Sequence, residues 1–470
     1  MKSKEKELLK NTTIVSVGKI CTQLITFFLL PLYTAILSTA EYGIVDLLNT
    51  LVGLFLPIMT LQIEQGIFRF LVERRGNREE QNKLISTSLL IVAGQVLLFG
   101  VTFFVFSLFI QNEYKYFLAL NLLANVCSSI LLQVTRGLGD NLKYAKGSFI
   151  SAVTTVSLNV LFVVYFKWAA YGMLFATFLG HMTCAMYVLL TKKIYKYVNF
   201  KLFDKNLAIS VLKYSFPLIP NMISWWVINA SNRTIITAFL GLDFNGIFST
   251  ATKFSSLIST LYSVFNLAWT ESASLYIDSE DASNFFSNIF DIIIRLFGSI
   301  CLCVIVFMPF VFGIMINVKF AASYYQIPIL MVGSLFNIFV SFLGSIYVAK
   351  KITAEIAKTS IIAAIINISI NIIFIRFIGL YSASIATAVS YIAMFIYRFI
   401  DSKKYVTLIL SKSLISTVAI SYVLSIVVYY INITTLNIIW AVIMIVVMIL
   451  INKKTIFFLL DLLKLRGKKA

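Results

Sequence analysis

The sequence predicts an all-α integral membrane protein of about fourteen transmembrane helices, arranged as two pseudo-symmetric six-helix bundles followed by a C-terminal helix pair. Three observations predict it. Apolar stretches of membrane-spanning length recur from Asn11 to Ile451, separated almost everywhere by connectors of a few residues. With 60% hydrophobic residues and a mean hydropathy of +0.92, nothing between those limits has the composition of a separate soluble domain. Groups of residues in the first half also return, in order, in the second. Hydrocarbon leaves backbone amides no partner except their own chain, and no segment alternates like a barrel strand, so the spans are expected to be helices.

At about 20 apolar residues per span, the first seven fall at 11–37, 42–72, 84–110, 116–135, 149–166, 171–190 and 216–240. The remainder fall at 246–270, 285–316, 324–349, 359–377, 380–400, 414–431 and 436–451. The net charge of +19 is explained by where the Lys and Arg sit along the connectors, so nucleic acid is not an expected partner. One side has Lys2, Lys4, Lys6 and Lys10, then Arg74, Arg75, Arg78 and Lys83, then Arg136, Lys143 and Lys146, then Lys192, Lys193, Lys196, Lys201, Lys205 and Lys213. Further along come Lys350, Lys351 and Lys358, then Arg398, Lys403, Lys404 and Lys412, and a tail with Lys453, Lys454, Lys464, Arg466, Lys468 and Lys469. The opposite side has Lys115, Lys167, Lys319 and Arg376. This asymmetry predicts that both termini are cytoplasmic; the acidic connector 271–284 has little topological weight.

The basic start has no signal-peptide anatomy and is expected to stay in the mature protein. Cys21, Cys127, Cys184, Cys301 and Cys303 all fall within spans, at spacings that suggest neither a disulfide framework nor a zinc site. They read as buried, inert thiols.

The duplication rests on three matched groups. Thr34, Ala35, Leu37, Gly43 and Ile44 return as Thr237, Ala238, Leu240, Gly246 and Ile247. Lys146, Ser148, Ser157, Asn159 and Phe162 return as Lys358, Ser360, Ser369, Asn371 and Phe374. Tyr171, Ala176 and Thr177 return as Tyr381, Ala386 and Thr387. The expected division is therefore an N-terminal lobe at 1–190, a basic linker at 191–213, a C-terminal lobe at 214–401, and two extra spans with a basic tail at 402–470. Six spans per repeat give both halves the same orientation, the parallel-repeat plan of transporters, with a substrate path between the halves.

Ionisable groups inside a span are costly unless they face a wet cavity or a partner, so they carry the functional signal. On the first span Thr12, Ser16, Lys19, Gln23 and Thr26 form one helical stripe; on the eighth, Ser249, Lys253, Ser256, Thr260 and Ser263 repeat the spacing. The seventh adds Asn221, Trp225, Asn229 and Arg233 at steps of four. Arg233 and Lys253 lie ten residues on either side of Asp243, at similar depth, and with Lys19 they would make two stations for an anion. The structural alternatives are that the hydroxyls bond back to their own helices, that Lys19 snorkels, and that Arg233 or Lys253 is neutralised by Asp46 or Asp243. Asp46 and Glu64 on the second span are carboxylates for a coupling cation. Arg69 with Glu73, and Asp291 with Arg295, read as helix-end pairs. His181 reads as a packed histidine rather than a proton relay.

The basic tail and polar first span lead into Leu30-Pro31-Leu32-Tyr33, Glu41-Tyr42-Gly43-Ile44 and Ile67-Phe68-Arg69-Phe70. With these the chain resembles, along its whole length, the oligosaccharide flippase (O-antigen translocase) branch of the multidrug/oligosaccharidyl-lipid/polysaccharide exporter superfamily. The resemblance implies two six-helix bundles that move undecaprenyl-diphosphate-linked sugar repeat units from the inner to the outer leaflet of the bacterial cytoplasmic membrane by alternating access. Lys19, Arg233 and Lys253 would then bind diphosphate oxygens; Gln23, Asn221, Asn229, Ser256 and Thr260 would meet sugar hydroxyls; Trp225 would stack on a sugar ring. The expected partners are that lipid-linked glycan, membrane lipid and polysaccharide polymerase machinery. No cofactor, metal or catalytic residue is expected, and Na⁺ or H⁺ is the expected coupling ion. A lipid II-type flippase and a cation-coupled multidrug antiporter are the alternatives. A membrane sugar polymerase or ligase is disfavoured because every outer connector is short and no nucleophile, nucleotide or metal motif occurs.

Overall fold

Five of the described α-helices start at a residue whose side chain caps them. The computed structural model describes residues 23–25, 27–109, 111–350 and 352–467. One compact unit consists of Met1–Thr237 with Gly241–Gly246. It holds α1 (Leu30–Ile36), α2 (Thr39–Thr60), α3 (Ile63–Glu73), α4 (Arg78–Ser107), α5 (Lys115–Gly137), α6 (Asn141–Asn159), α7 (Ala169–Lys192), α8 (Lys205–Ser215) and most of α9 (Leu218–Leu240). The other unit consists of Ala238–Leu240 with Ile247–Ala470. It holds most of α10 (Leu242–Tyr276), then α11 (Ala282–Met315), α12 (Ile327–Ala349), α13 (Thr353–Ile378), α14 (Tyr381–Ser402), α15 (Lys412–Ile431) and α16 (Thr434–Gly467). Among the described residues there are no strands, and eleven helical segments are long and apolar enough to cross a membrane. The helices α9 and α10, 23 and 35 residues long, stand where the seventh and eighth spans were expected.

Ser38 opens α2 with a capping box: its hydroxyl accepts the Glu41 amide at 3.2 Å and the Glu41 carboxylate accepts the Ser38 amide at 2.8 Å. Asn77, Asp140, Asp204 and Ser411 cap α4, α6, α8 and α15 in the same way through one side-chain oxygen each. Gly241, at φ +101°, separates α9 from α10 in a backbone region that a β-carbon disfavours.

The second expected span, 42–72, is two helices. Leu61 and Gln62 take left-handed backbone angles, φ 49° and 56°, between α2 and α3. Pro57 has already removed one backbone donor near the end of α2, and the Thr60 hydroxyl bonds to Leu56 O at 2.9 Å.

In the first unit Ile63, Ile67 and Leu71 on α3 belong to one core with Leu122, Val126, Ile130 and Val134 on α5 and with Val188 on α7. In the second the core is aromatic: Trp269, Phe286, Phe290 and Phe342 meet at ring distances of 4.8–6.4 Å. The repeat reappears in packing, because α6 lies on α7 and α5 on α7 just as α13 lies on α14 and α12 on α14. The C-terminal pair is tied on by hydrogen bonds as well as apolar contact. Tyr422 donates to Gly298 O at 3.0 Å, Tyr429 to Tyr324 O at 2.8 Å, and Asn452 to Ser299 Oγ at 2.7 Å. Of the cysteines expected to be buried, Cys184 and Cys301 are; Cys127 and Cys303 are exposed on helices whose outer faces are apolar, and Cys21 lies outside the described residues.

Candidate functional site

The polar stripes are built on α2, α9 and α10. Asp46 stands on α2, two turns after the capping box, and Arg233 on the second half of α9. The Arg233 Nε lies 2.6 Å from Asp46 Oδ2, with only 16% and 12% of the two side chains exposed. An ion pair this sheltered keeps both charges compensated inside an apolar unit, and removing either partner is worth about 3–5 kcal/mol in such settings. On the same two helices the Trp226 indole donates to Thr50 O at 2.8 Å, bringing the middle of α9 onto α2. Of the two neutralising partners the sequence offered for Arg233, the structure brings Asp46 to it. Asp243 instead accepts the Thr39 hydroxyl.

Asn221, Trp225 and Asn229 lie on α9 at steps of four, but their side chains fall outside the described part of the structure, as does all of Lys19. Gln23 is described, half-buried in a helical turn ahead of α1. Lys253 is half-buried on α10. On that helix Ser256 donates to Thr252 O and Thr260 to Ser256 O, each at 2.9 Å, so both hydroxyls bond to their own backbone in this state.

Glu64 is 5% exposed in the first turn of α3, directly after the Leu61–Gln62 break. Gln62 Nε2 donates to its Oε1 at 3.1 Å, and Oε2 meets no hydrogen-bond partner among the described residues. Asp46, the other carboxylate assigned to ion coupling, is the one held by Arg233.

Three other intramembrane polar groups bond to neighbouring protein groups. His181 Nδ1 lies 3.0 Å from Ser128 Oγ, and Arg69 pairs with Glu73 at 3.0 Å along α3. Arg295 Nη1 donates to Ile451 O at 2.6 Å, fastening α11 to α16. Two features had no signal in spacing: the Leu61–Gln62 break, and Tyr33, whose hydroxyl accepts from Asn159 Nδ2 at 3.0 Å. In the sequence Asn159 stands out only as a repeat match to Asn371.

This helical architecture is that of a class of polytopic membrane transporters. The lipid II flippase MurJ in an inward closed conformation has a TM-score of 0.69 at 16% identity, over 96% of this chain and 98% of that one. A multidrug resistance MATE family transporter of the MOP superfamily, inward-facing, has a TM-score of 0.68 at 13% identity, over 83% and 98%. The same family's outward-facing form has a TM-score of 0.54 at 14% identity, over 84% and 96%. No curated protein matches the sequence. Residues 8–270 match the model of the family described as polysaccharide biosynthesis protein, and the chain belongs to that family. It is a multi-pass membrane protein.

Proposed function

We propose that the protein is a flippase carrying undecaprenyl-diphosphate-linked oligosaccharide repeat units from the inner to the outer leaflet of the bacterial cytoplasmic membrane by alternating access, with both termini cytoplasmic. Family membership supports the glycan. The observation that carries the anionic headgroup is the sheltered Arg233–Asp46 pair at 2.6 Å. A diphosphate oxygen replacing the Asp46 carboxylate exchanges one anion for another on the same guanidinium, so no step leaves Arg233 buried and uncompensated. Each charge-assisted bond contributes about 1.5–3 kcal/mol, enough to select the headgroup and weak enough for release.

Lys19, Gln23, Asn221, Asn229 and Trp225 are proposed for the same headgroup on the first unit, and Lys253, Ser256 and Thr260 on the second. Asp46, once released, takes up Na⁺ or H⁺, and Glu64 is the second carboxylate for that ion. A Glu64→Gln variant is expected to equilibrate substrate between leaflets yet lose its response to an imposed ion gradient.

The test is reconstitution into vesicles with a fluorescent undecaprenyl-diphosphate oligosaccharide, following the fraction accessible from outside. Movement lost in Arg233→Gln, with normal insertion, supports the reading. Normal movement in that variant overturns the role of Arg233. A static lipid-linked sugar together with exchange of a cationic dye for Na⁺ or H⁺ makes the protein a drug antiporter. Movement of lipid II in preference to oligosaccharide carriers makes it a lipid II-type flippase.

A further inference from the structure

The connector between α7 and α9 is more than a basic stretch that fixes topology. It is a folded piece of the first unit, made of two short 3₁₀ turns, Ile194–Tyr197 and Phe200–Leu202, followed by α8. It is fastened to the start of α4. Ser86 Oγ accepts the Asn199 amide at 2.8 Å and Thr87 Oγ1 accepts the Asp204 amide at 3.1 Å; both residues of α4 are fully buried. Lys83 Nζ pairs with Asp204 Oδ2 at 2.6 Å, and the Arg78 guanidinium sits 3.2 Å from the centre of the Tyr197 ring.

The outward side of this piece has two kinds of residue. Tyr195, Phe200, Phe203, Ile209, Tyr214 and Phe216 are 42–61% exposed. Interleaved with them, Lys193, Lys196, Lys201, Lys205 and Lys213 are all exposed. The acid within the segment, Asp204, is already used by Lys83. Positive-inside topology asks only for lysines near a span; it does not ask for exposed aromatic side chains between them on a docked scaffold.

Its level in the bilayer follows from α4. From Ser86, where the connector is fastened, to Ser107 at the helix end is about 31 Å at 1.5 Å per residue, close to the thickness of the hydrocarbon layer. The middle and far part of α4 is exposed and apolar, with Leu97, Val101 and Phe104 at 65–71%, as a lipid-facing helix should be. The connector therefore lies at headgroup level beside that helix, where aromatic bodies enter the acyl boundary and lysines stay among phosphates.

We infer that the 193–216 connector is a binding surface for anionic phospholipid headgroups in the leaflet on its side of the membrane. The charge is complementary, and each lysine near an anionic surface contributes about a fivefold factor to occupancy. The surface is separate from the Arg233–Asp46 pair, and the inference does not depend on what the protein transports.

The experiment places an environment-sensitive fluorophore on exposed Ser210 (Ser210→Cys, native cysteines replaced by alanine) in the full chain, reconstituted into vesicles of equal parts phosphatidylglycerol and phosphatidylcholine. Headgroup-level nitroxide is carried on one lipid or the other. Stronger quenching by nitroxide-phosphatidylglycerol is expected. It should vanish when Lys193, Lys196, Lys201, Lys205 and Lys213 are changed to Gln. In the unchanged lysine background it should vanish in ~1 M salt, where the screening length is about 3 Å. Equal quenching by the two lipids in the parent overturns the selection of anionic headgroups. No quenching by either overturns the membrane docking altogether and turns the basic face toward an acidic protein segment.

Discussion

Gly43 and Gly246 touch backbone to backbone, each occupying the space the other's side chain would need. A β-carbon on Gly43 would collide with Leu242 O and come within 2.9 Å of Gly246 N; one on Gly246 would collide with Thr39 O and come within 3.1 Å of Gly43 N. The four residues are related in pairs by the same repeat offset, so the contact is two-fold symmetric about the crossing of α2 and the start of α10. Asn245 secures it by donating to Gly43 O at 2.8 Å. Gly43→Ala and Gly246→Ala are each expected to lower the unfolding temperature in detergent, at a cost of about 1–3 kcal/mol for overpacking against atoms that cannot rotate away. Gly53→Ala on the same helix, whose β-carbon would meet only Trp226 Cδ1 at 3.9 Å, is the control and should gain up to about 1 kcal/mol of helix propensity. Equal behaviour of the three variants would remove the crossing from the packing argument.

The Arg233–Asp46 pair predicts strong non-additivity. Arg233→Gln and Asp46→Asn each leave one charge uncompensated in a sheltered place, and each should lower stability by about 3 kcal/mol or more. The double variant removes both charges and should recover much of that loss, with a coupling of about 1–3 kcal/mol in a thermodynamic cycle. Simple addition of the two losses would show that the partners do not depend on each other.

Much of the helix pattern was legible because hydropathy is a local signal, and runs of apolar residues of spanning length mark most of the helices. The Leu61–Gln62 break was not legible. Neither residue is a glycine, so the left-handed backbone had no signature beyond Pro57 a turn upstream, and a continuous apolar run reads as one span. Spacing placed Ser256 and Thr260 on a stripe, but a step of four is also the reach of a hydroxyl to its own helix's carbonyl, which is the bond they make. For Arg233 the sequence supplied the alternatives and tertiary packing chose among them, since periodicity says which residues share a face and not which face meets which. Gly43 and Gly246 were visible as a repeat match before they were visible as a contact.

Arg398 predicts a dependence on the guanidinium fork. It is 3% exposed; Nε and Nη2 both donate to Thr359 Oγ1, at 3.0 and 2.8 Å, and Nη1 donates to Val340 O at 3.0 Å. Gly344 makes room for it, because a β-carbon there would lie 2.8 Å from Nη1. Arg398→Lys keeps the charge but loses the planar set of donors, and should cost about 2 kcal/mol or more by chemical denaturation. Gly344→Ala should be destabilising in the parent and nearly silent in the Arg398→Lys background, since the clashing group is gone. A full Gly344→Ala penalty in both backgrounds would refute the link.

Asp204 predicts where acid loosens the connector. The Lys83 ammonium at 2.6 Å, followed by the Leu207 amide at 2.9 Å, holds its carboxyl below the usual aspartate range. A group whose pKa is lowered on folding contributes stability above its unfolded value, ~3.9 for aspartate, and loses that contribution as pH falls through the folded value. Hydrogen exchange at the amides of α8 should therefore be steady from neutral pH down to the upper edge of the carboxylate range, after correction for intrinsic rates, and should quicken only below it. In Asp204→Asn the acid step should disappear, and exchange should already be faster at neutral pH because the ion pair is absent, while Asn keeps the helix cap. An unchanged acid step in that variant would assign the transition to another carboxylate.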